Sequence, residues 1–264
     1  SDEAERSFRE CVRIRRKVYG DDHMDVAQSL FSLGRVYETS RKDHTLALRC
    51  YEESLRIHKT TKDDDDLDTA RIYLHLGNVH SYLHNDAKAA FCFTQATAIC
   101  SQHDDPDNEV VEDAVVGQGH AMIAQGKFEE ALLQYERARG MRINRSTDER
   151  QESKELADLS LYEAEAFEKL GKNQEALHCL DTALEMYSTT VGIEHLSTSN
   201  ALQRLAELHL DMDHRDEALS VAQQALQIRK SLLGMNNEAT GESYFIIGKI
   251  FFVRNEFETA LPCL

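Results

Sequence analysis

Small residues recur along this chain at a nearly constant interval, and this interval constrains the fold more than any other feature. The leading positions are Gly34, Gly77, Gly119, Ala164, Ala206 and Gly248, which lie 43, 42, 45, 42 and 42 residues apart. In most copies an alanine follows 12 positions later, a bulky residue 4 after that and a second small residue 3 further on. A fixed interval of this length indicates stacked supersecondary units.

Each copy contains two segments in which apolar residues recur at helical spacing. Breaker and capping residues, such as Gly126 and Gly171, separate the two segments. The pattern predicts an all-α protein of helical hairpins, with helices over residues 1–19, 26–40, 45–58, 68–83, 87–100, 108–125, 128–141, 148–170, 173–188, 196–211, 215–232, 237–253 and from 257. One hairpin cannot bury its apolar face alone, so the core is predicted to form where hairpins stack.

The hairpins are predicted to form one solenoid over residues 1–264. Its parts are the second helix of a partial repeat over 1–20, repeats one to five over 21–62, 63–105, 106–146, 147–191 and 192–234, and a truncated sixth repeat over 235–264. Incomplete units leave apolar faces at the ends of a solenoid, so self-association through these open ends is an expectation.

The recurring small residues are predicted to have a packing role. Glycine at a leading position, as at Gly77, and the alanine 12 positions later, Ala89, let the two helices of a hairpin approach closely. The bulky residue that follows, Phe93, then fills the gap between neighbouring repeats. In the first copy the spacing from Gly34 to Ala47 is 13, one residue longer than in the others.

The chain is strongly acidic, with a formal net charge of −17 and a pI near 5.1. Such a charge disfavours nucleic acid and anionic membranes as partners, and no long apolar run indicates a membrane span. The six cysteines contain no CxxC pair. We interpret them as small apolar residues in a reducing compartment and therefore predict a cytoplasmic location.

The spacing of small and bulky residues resembles the tetratricopeptide repeat. The interval near 42, the segment 14–27 and the triplet Ala260-Leu261-Pro262 are similar to the kinesin light chain type of this repeat. The resemblance implies a right-handed α-α superhelix whose concave groove binds peptides or protein segments, with no catalysis and no cofactor. Kinesin light chains carry paired asparagines just before many leading residues, and this chain does not, which weighs against cargo recognition of the kinesin kind.

In the tetratricopeptide pattern the first helix of each pair lines the concave groove, and five positions around the leading residue point inward. Mapped onto this chain, these positions give the candidate groove residues Gln28, Phe31, Arg35, Arg71, Leu74, Asn78, Tyr82, Asp113, His120, Asp158, Glu165, Lys169, Asn200, Gln203 and Glu207. Inward positions are also held by Glu38, Ser81, Glu168 and Asp211.

The candidate groove residues change in character along the chain. Basic and aromatic side chains fall in repeats one and two, whereas carboxylates dominate repeats four and five. The pattern therefore predicts an extended peptide with acidic or aromatic residues toward the N-terminal half of the groove and basic residues toward the other half. Solvated helix faces that bind nothing are the alternative.

Two patterns suggest metal binding at first sight. His80 and His84 lie one helical turn apart but lack an HExxH glutamate, and we interpret them as polar histidines on a helix face. The aspartates at 63–66 lack the glycine and distal glutamate of a calcium loop. Because no Gly-rich phosphate loop or nucleophile elbow appears either, no catalytic residue, cofactor or metal is predicted.

The leading hypothesis is a non-enzymatic scaffold or adaptor that binds a peptide or protein segment in its groove. Two alternatives remain open: a regulatory or sensor module of a larger protein of the nucleotide-switch or kinase type, and an array that self-assembles end to end. Catalytic motifs in flanking sequence would favour the first alternative. A strict monomer at high concentration in light scattering would exclude the second.

Overall fold

The computed structural model describes residues 2–61, 67–102, 109–145 and 149–260, and these residues form helices with no β-strand among them. The all-α prediction is therefore confirmed. The chain divides into two compact units, residues 1–141 (unit 1) and 142–264 (unit 2). Of the helices in the described ranges, none is both long and apolar enough to cross a membrane.

The helices follow one another in pairs within each unit. Unit 1 contains α1 (Asp2–Tyr19), α2 (Met24–Val36), α3 (His44–Thr61), α4 (Leu67–Tyr82), α5 (Asp86–Cys100) and α6 (Glu109–Ala124), and α7 (Phe128–Arg145) begins in it. Unit 2 contains α8 (Glu149–Lys169), α9 (Asn173–Thr190), α10 (Leu196–Asp211), α11 (Arg215–Leu233), α12 (Glu238–Val253) and α13 (Phe257–Ala260). The predicted helix ends differ from these by at most about one helical turn.

The small residues bring the two helices of a hairpin into close contact, as the spacing predicts. A Cβ atom added at Gly34 would lie 2.6 Å from the ring of Tyr51, and one added at Gly119 would lie 2.3 Å from the ring of Tyr135. The alanines that follow the leading residues are fully buried: Ala47, Ala89, Ala131, Ala176 and Ala218. Close packing in the hairpins thus depends on the absence of larger side chains.

The side chain of Phe93 in α5 packs against two neighbouring repeats. A Cβ added at Gly77 of α4 would lie 2.5 Å from its ring, and a Cβ added at Gly117 of α6 would also lie 2.5 Å from it. The ring is therefore enclosed between the first helices of repeats two and three, which confirms the predicted gap-filling role. Gly117 lies two positions before the leading residue Gly119, and the sequence pattern did not identify it.

The first hairpin turns differently from the others. Its first helix was predicted over 26–40, but α2 ends at Val36 and a π-helical turn follows over Tyr37–Arg41. Lys42 then adopts a left-handed conformation (φ 52°), and the Asp43 N–H donates to the Tyr37 carbonyl at 3.0 Å. A π turn holds one residue more than an α turn, so it accommodates the extra residue between Gly34 and Ala47.

The first helices of the later repeats end in a common capping motif. In it a residue with positive φ follows the helix, and the next N–H donates to a carbonyl five residues earlier. The left-handed residues are His84, Gly126, Gly171, Asp213 and Asn255. The corresponding bonds run from Asn85 to His80, Lys127 to Met122, Lys172 to Phe167, His214 to His209 and Glu256 to Phe251, at 2.8 to 2.9 Å.

The interpretation of His80 as a polar surface histidine is wrong. Its side chain is 5% exposed, its Nδ1 has no hydrogen-bond partner among the described residues, and burial lowers its pKa. His84 lies instead in the exposed turn after α4. The aspartates at 63–66 lie outside the described residues.

Candidate peptide-binding surfaces

The structure places most candidate groove residues on accessible surface. Gln28, Arg35, Arg71, Tyr82, Asp113, Lys169 and Asn200 are exposed, and Phe31, Asn78, His120, Asp158, Glu165, Gln203 and Glu207 are partly buried. Leu74 lies in the interior, 7% exposed, so the candidate surface excludes it. We call the accessible members in unit 1 (Gln28, Phe31, Arg35, Arg71, Asn78, Tyr82, Asp113 and His120) the first-helix face of unit 1.

Three residues of this face meet in a cavity of about 380 Å³ between α2, α3 and α4. They are Gln28, Phe31 and Arg71, and the remaining lining residues are Met24, Asp25, Ser32, His58, Asp68 and Ile72. The lining of the cavity thus combines apolar side chains with charged groups of both signs. Arg71 is paired only loosely, since its guanidinium lies 3.5 Å from the exposed carboxylate of Asp68.

Three further residues meet in a second cavity of about 580 Å³. They are Asn78, Tyr82 and His120, and the remaining lining residues are Glu38, Ser81, His84, Phe93 and Gly117. Tyr82 is 64% exposed, yet its ring stacks on His44 with 4.5 Å between ring centroids. A large exposed ring held in place by a neighbour is well suited to contact a partner.

Internal contacts hold one lining residue of each cavity in place, Phe31 in the first and Glu38 in the second. Glu38 accepts a hydrogen bond from the Tyr51 hydroxyl at 2.5 Å and lies 2.9 Å from Nδ1 of His75. Burial opposes ionisation of Glu38, but the bonds from His75 and Tyr51 outweigh it and lower the pKa of this carboxyl. The His75 ring packs edge-on against Phe31, with 5.2 Å between centroids. The sequence placed Glu38 inward but did not indicate these partners.

His120 is fixed in a similar way. Its Nδ1 lies 3.0 Å from the hydroxyl of Tyr135, the bulky residue of repeat three. The tyrosine that fills the gap between helices therefore also orients a side chain of the first-helix face. Preorganised side chains lose little conformational freedom on binding, which favours affinity.

Arg35 is the most available cation of the first-helix face of unit 1. Its side chain is exposed, and its guanidinium has no hydrogen bond or ion pair with any described residue. The carboxylate of Asp113 is exposed as well, but unlike the Arg35 guanidinium it already interacts with another group. Arg35 and Arg71 together thus offer two exposed cations on the first-helix face of unit 1, and Arg71 also lines the first cavity.

Unit 2 presents mainly carboxylates on its first helices. Arg204 pairs with Glu165 at 3.3 Å and with Glu168 at 3.0 Å. Burial nevertheless raises the pKa of Glu168 above the usual value for a glutamate, as it does for Glu207. The first helices of unit 2 thus carry a group of partly buried carboxylates around Arg204.

Three candidate groove residues of unit 2 serve the fold itself. Asp158 accepts from the hydroxyl of Tyr187 and from Lys154 Nζ at 2.9 Å. Asn200 and Gln203 accept hydrogen bonds from Arg229, whose side chain is only 4% exposed. We found no sequence pattern that distinguishes these internal acceptors from residues that face a ligand.

Removal of the Glu207 charge should stabilise the chain at neutral pH. Its pKa is raised first by burial and then by Asp211 and Glu242, against Arg204 and Lys249. A carboxyl whose pKa is higher in the folded state than in the unfolded state lowers the stability of the folded chain once it is ionised. This loss disappears when the pH falls below 4.5, the ordinary pKa of a glutamate, because the carboxyl is then protonated in both states. Glu207→Gln should therefore raise the free energy of unfolding near pH 7 and change it little near pH 4, as urea denaturation at both pH values can measure.

The control for this measurement is Glu185→Gln, which neutralises an exposed glutamate of α9. It should leave the free energy of unfolding nearly unchanged at both pH values. A loss of stability in Glu207→Gln near pH 7 would contradict the prediction.

Comparison with solved structures shows the same fold elsewhere. Nearly identical TPR-like repeats of a Podosopora anserina protein assigned as a kinesin light chain superpose with a TM-score of 0.65 at 18% identity, over 80% of this chain and 98% of that one. The apo form of RapI superposes with a TM-score of 0.66 at 13% identity, over 90% of this chain and 94% of that one. A Rap protein complexed with competence and sporulation factor gives 0.64 at 13% identity, over 98% and 82%.

Curated relatives match over shorter segments. A clustered mitochondria protein homolog of Candida albicans is 36% identical over 76 residues, and that of Homo sapiens is 29% identical over 91 residues. These matches cover 29% and 34% of this chain but only 6% and 7% of the relatives, which are far longer proteins.

Family models match the repeats directly. One tetratricopeptide repeat model matches residues 38–102 and 155–231, and a second matches residues 2–25. The matched segments include the hairpin of α4 and α5, in which Phe93 packs against Gly77. Because the first model alone covers more than half of the chain, this chain belongs to the tetratricopeptide repeat family.

Proposed function

We propose that this chain is a non-enzymatic scaffold that binds segments of partner proteins on its first helices. The observation that carries the proposal is that six candidate groove residues line two cavities in unit 1. They are Gln28, Phe31 and Arg71 in one cavity and Asn78, Tyr82 and His120 in the other. Aromatic residues and arginine, which both occur in these linings, are enriched at protein interfaces.

The ligand proposed for unit 1 is an acidic segment with an aromatic or apolar side chain. Arg35 and Arg71 would pair with its carboxylates, because neither guanidinium is engaged in a close internal ion pair. The apolar side chain would lie against Phe31 or Tyr82, both of which are held by neighbouring rings. For unit 2 the carboxylates around Glu207 favour a basic segment instead.

Charge reversal at both arginines should weaken the binding of an acidic segment. We expect the double variant Arg35→Glu with Arg71→Glu to lower the affinity for a labelled acidic peptide that carries one tyrosine by at least about tenfold, or ~1.4 kcal/mol. Repulsion then replaces attraction, and the effect should shrink at high salt because exposed charges are screened. Fluorescence anisotropy with the whole chain measures both quantities.

The matched control is Arg6→Glu with Arg49→Glu. These arginines are exposed on α1 and α3 and lie outside the first-helix face of unit 1, and the substitutions change the net charge by the same amount. The control should retain most of the affinity. Equal loss in both double variants would indicate a non-specific charge effect, and unchanged affinity in the first would contradict the proposal.

A further inference from the structure

Two histidines lie side by side where α10 ends and α11 begins: His209 in the last turn of α10 and His214 at the N-cap of α11. The His214 N–H donates to the His209 carbonyl at 2.8 Å, the Asp213 N–H donates to the Leu210 carbonyl at 3.1 Å, and Asp213 has a φ of 62°. In this capping motif the residues at the two ends of the longer bond bring their side chains into contact. The two imidazole Nδ1 atoms lie 3.4 Å apart.

The fold does not require histidines at these two positions. The same motif ends the first helices of the other later repeats, where the equivalent pairs are His80 with Asn85, Met122 with Lys127, Phe167 with Lys172, and Phe251 with Glu256. Nor does the helix start require His214, because its side chain makes no capping hydrogen bond to α11. The histidine pair is therefore an individual feature of repeat five.

The separation of the two nitrogens matches a metal-binding geometry. Ligand nitrogens at about 2.0–2.1 Å from a tetrahedral zinc ion are about 3.3–3.4 Å from each other. We propose that His209 and His214 form a two-histidine site for a divalent transition metal ion such as Zn²⁺. The site lies outside the first-helix face of unit 1 and does not depend on the scaffold function proposed above.

The proposed site is open on its solvent side. Within the described ranges no third histidine, cysteine, aspartate or glutamate stands close enough to complete a set of ligands. The carboxylates of Glu217 and Asp181 interact electrostatically with His209. Water would complete the coordination, and imidazole ligands select zinc, copper or nickel over calcium or magnesium.

Titration with Zn²⁺ alone tests the proposal. Isothermal titration calorimetry on the tag-free chain should show a site that is lost in His209→Gln and equally lost in His214→Gln. Co²⁺ in place of Zn²⁺ should give the visible absorption of a low-symmetry complex in the wild type only. His178→Gln, which changes an exposed histidine of α9, should bind as the wild type does.

A gain of site gives an independent test. Met122 and Lys127 occupy the equivalent positions of repeat three, so Met122→His with Lys127→His should add a second Zn²⁺ site of similar affinity. Circular dichroism should confirm that all variants remain helical. The proposal is overturned if the wild type takes up no Zn²⁺, if binding survives in both single glutamine variants, or if only one of the two histidines matters.

Discussion

Replacement of Gly117 by valine is expected to destabilise the protein by about 3 kcal/mol, near the upper end of the cost of overpacking a core. Even a single Cβ at this position would lie 2.5 Å from the Phe93 ring. The ring has little room to move, because a Cβ added at Gly77 would also lie 2.5 Å from it. Urea denaturation followed by circular dichroism measures the loss. A variant with both Gly117→Val and Phe93→Leu should recover part of it, because a smaller side chain relieves the overlap.

Gly140→Val is the matched control for Gly117→Val. Gly140 also lies inside a helix, but a Cβ added there would meet nothing within 4 Å. Valine has a somewhat better helix propensity than glycine, so the expected change is within about 0.5 kcal/mol and in the stabilising direction. If both variants behaved alike, the close approach around Phe93 would not limit the choice of residue at Gly117.

The second large effect is expected at Arg229. Its guanidinium is buried and donates to the side chains of Asn200 and Ser243 at 2.8 and 3.0 Å and to the carbonyl of Ala239 at 2.7 Å, besides its bond to Gln203. Arg229→Met keeps the aliphatic part of the side chain but leaves these acceptors without their donor. We expect a loss of about 3 kcal/mol in the free energy of unfolding, measured by urea denaturation.

Two companion variants define what is lost at Arg229. Adding Gln203→Leu to Arg229→Met should cost less than the two single changes together, because both changes remove the same hydrogen bond. Arg215→Met, at an arginine of the same helix whose partner Asp213 is 72% exposed, should cost at most about 1 kcal/mol. A similar cost at Arg215 and Arg229 would show that burial of the guanidinium is not decisive.

The sequence predicted the hairpins and their packing because these depend on spacing alone. Gly34 and Tyr51 contact each other as their interval indicates, and Gly119 and Tyr135 do the same. The sequence did not predict the packing role of Gly117, because this residue contacts the Phe93 ring of the preceding repeat. The spacing of residues within one repeat does not describe such a contact. Arg229 escaped because a charged residue on a helix is normally solvated, whereas here it joins three helices.

The sequence predicted where candidate residues lie along the first helices, but not which of them are exposed or which form internal hydrogen bonds. Some inward positions of the pattern, such as Phe31 and Tyr82, line the two cavities of unit 1, whereas other lining residues, such as His58, were not among them. The pattern could not indicate that Leu74 packs into the interior or that Gln203 accepts from Arg229. Exposure at these positions depends on the neighbouring helix, and hydrogen-bond partners come from distant residues.

The π-helical turn at Tyr37–Arg41 bears on how such a chain tolerates changes in its length. The extra residue between Gly34 and Ala47 is accommodated entirely within the turn, and Gly34 still meets Tyr51 as closely as Gly77 meets Phe93. A one-residue insertion at this turn therefore leaves the stacked surfaces in register. The bend of this hairpin thus takes up a difference in length that would otherwise shift one helix along the other.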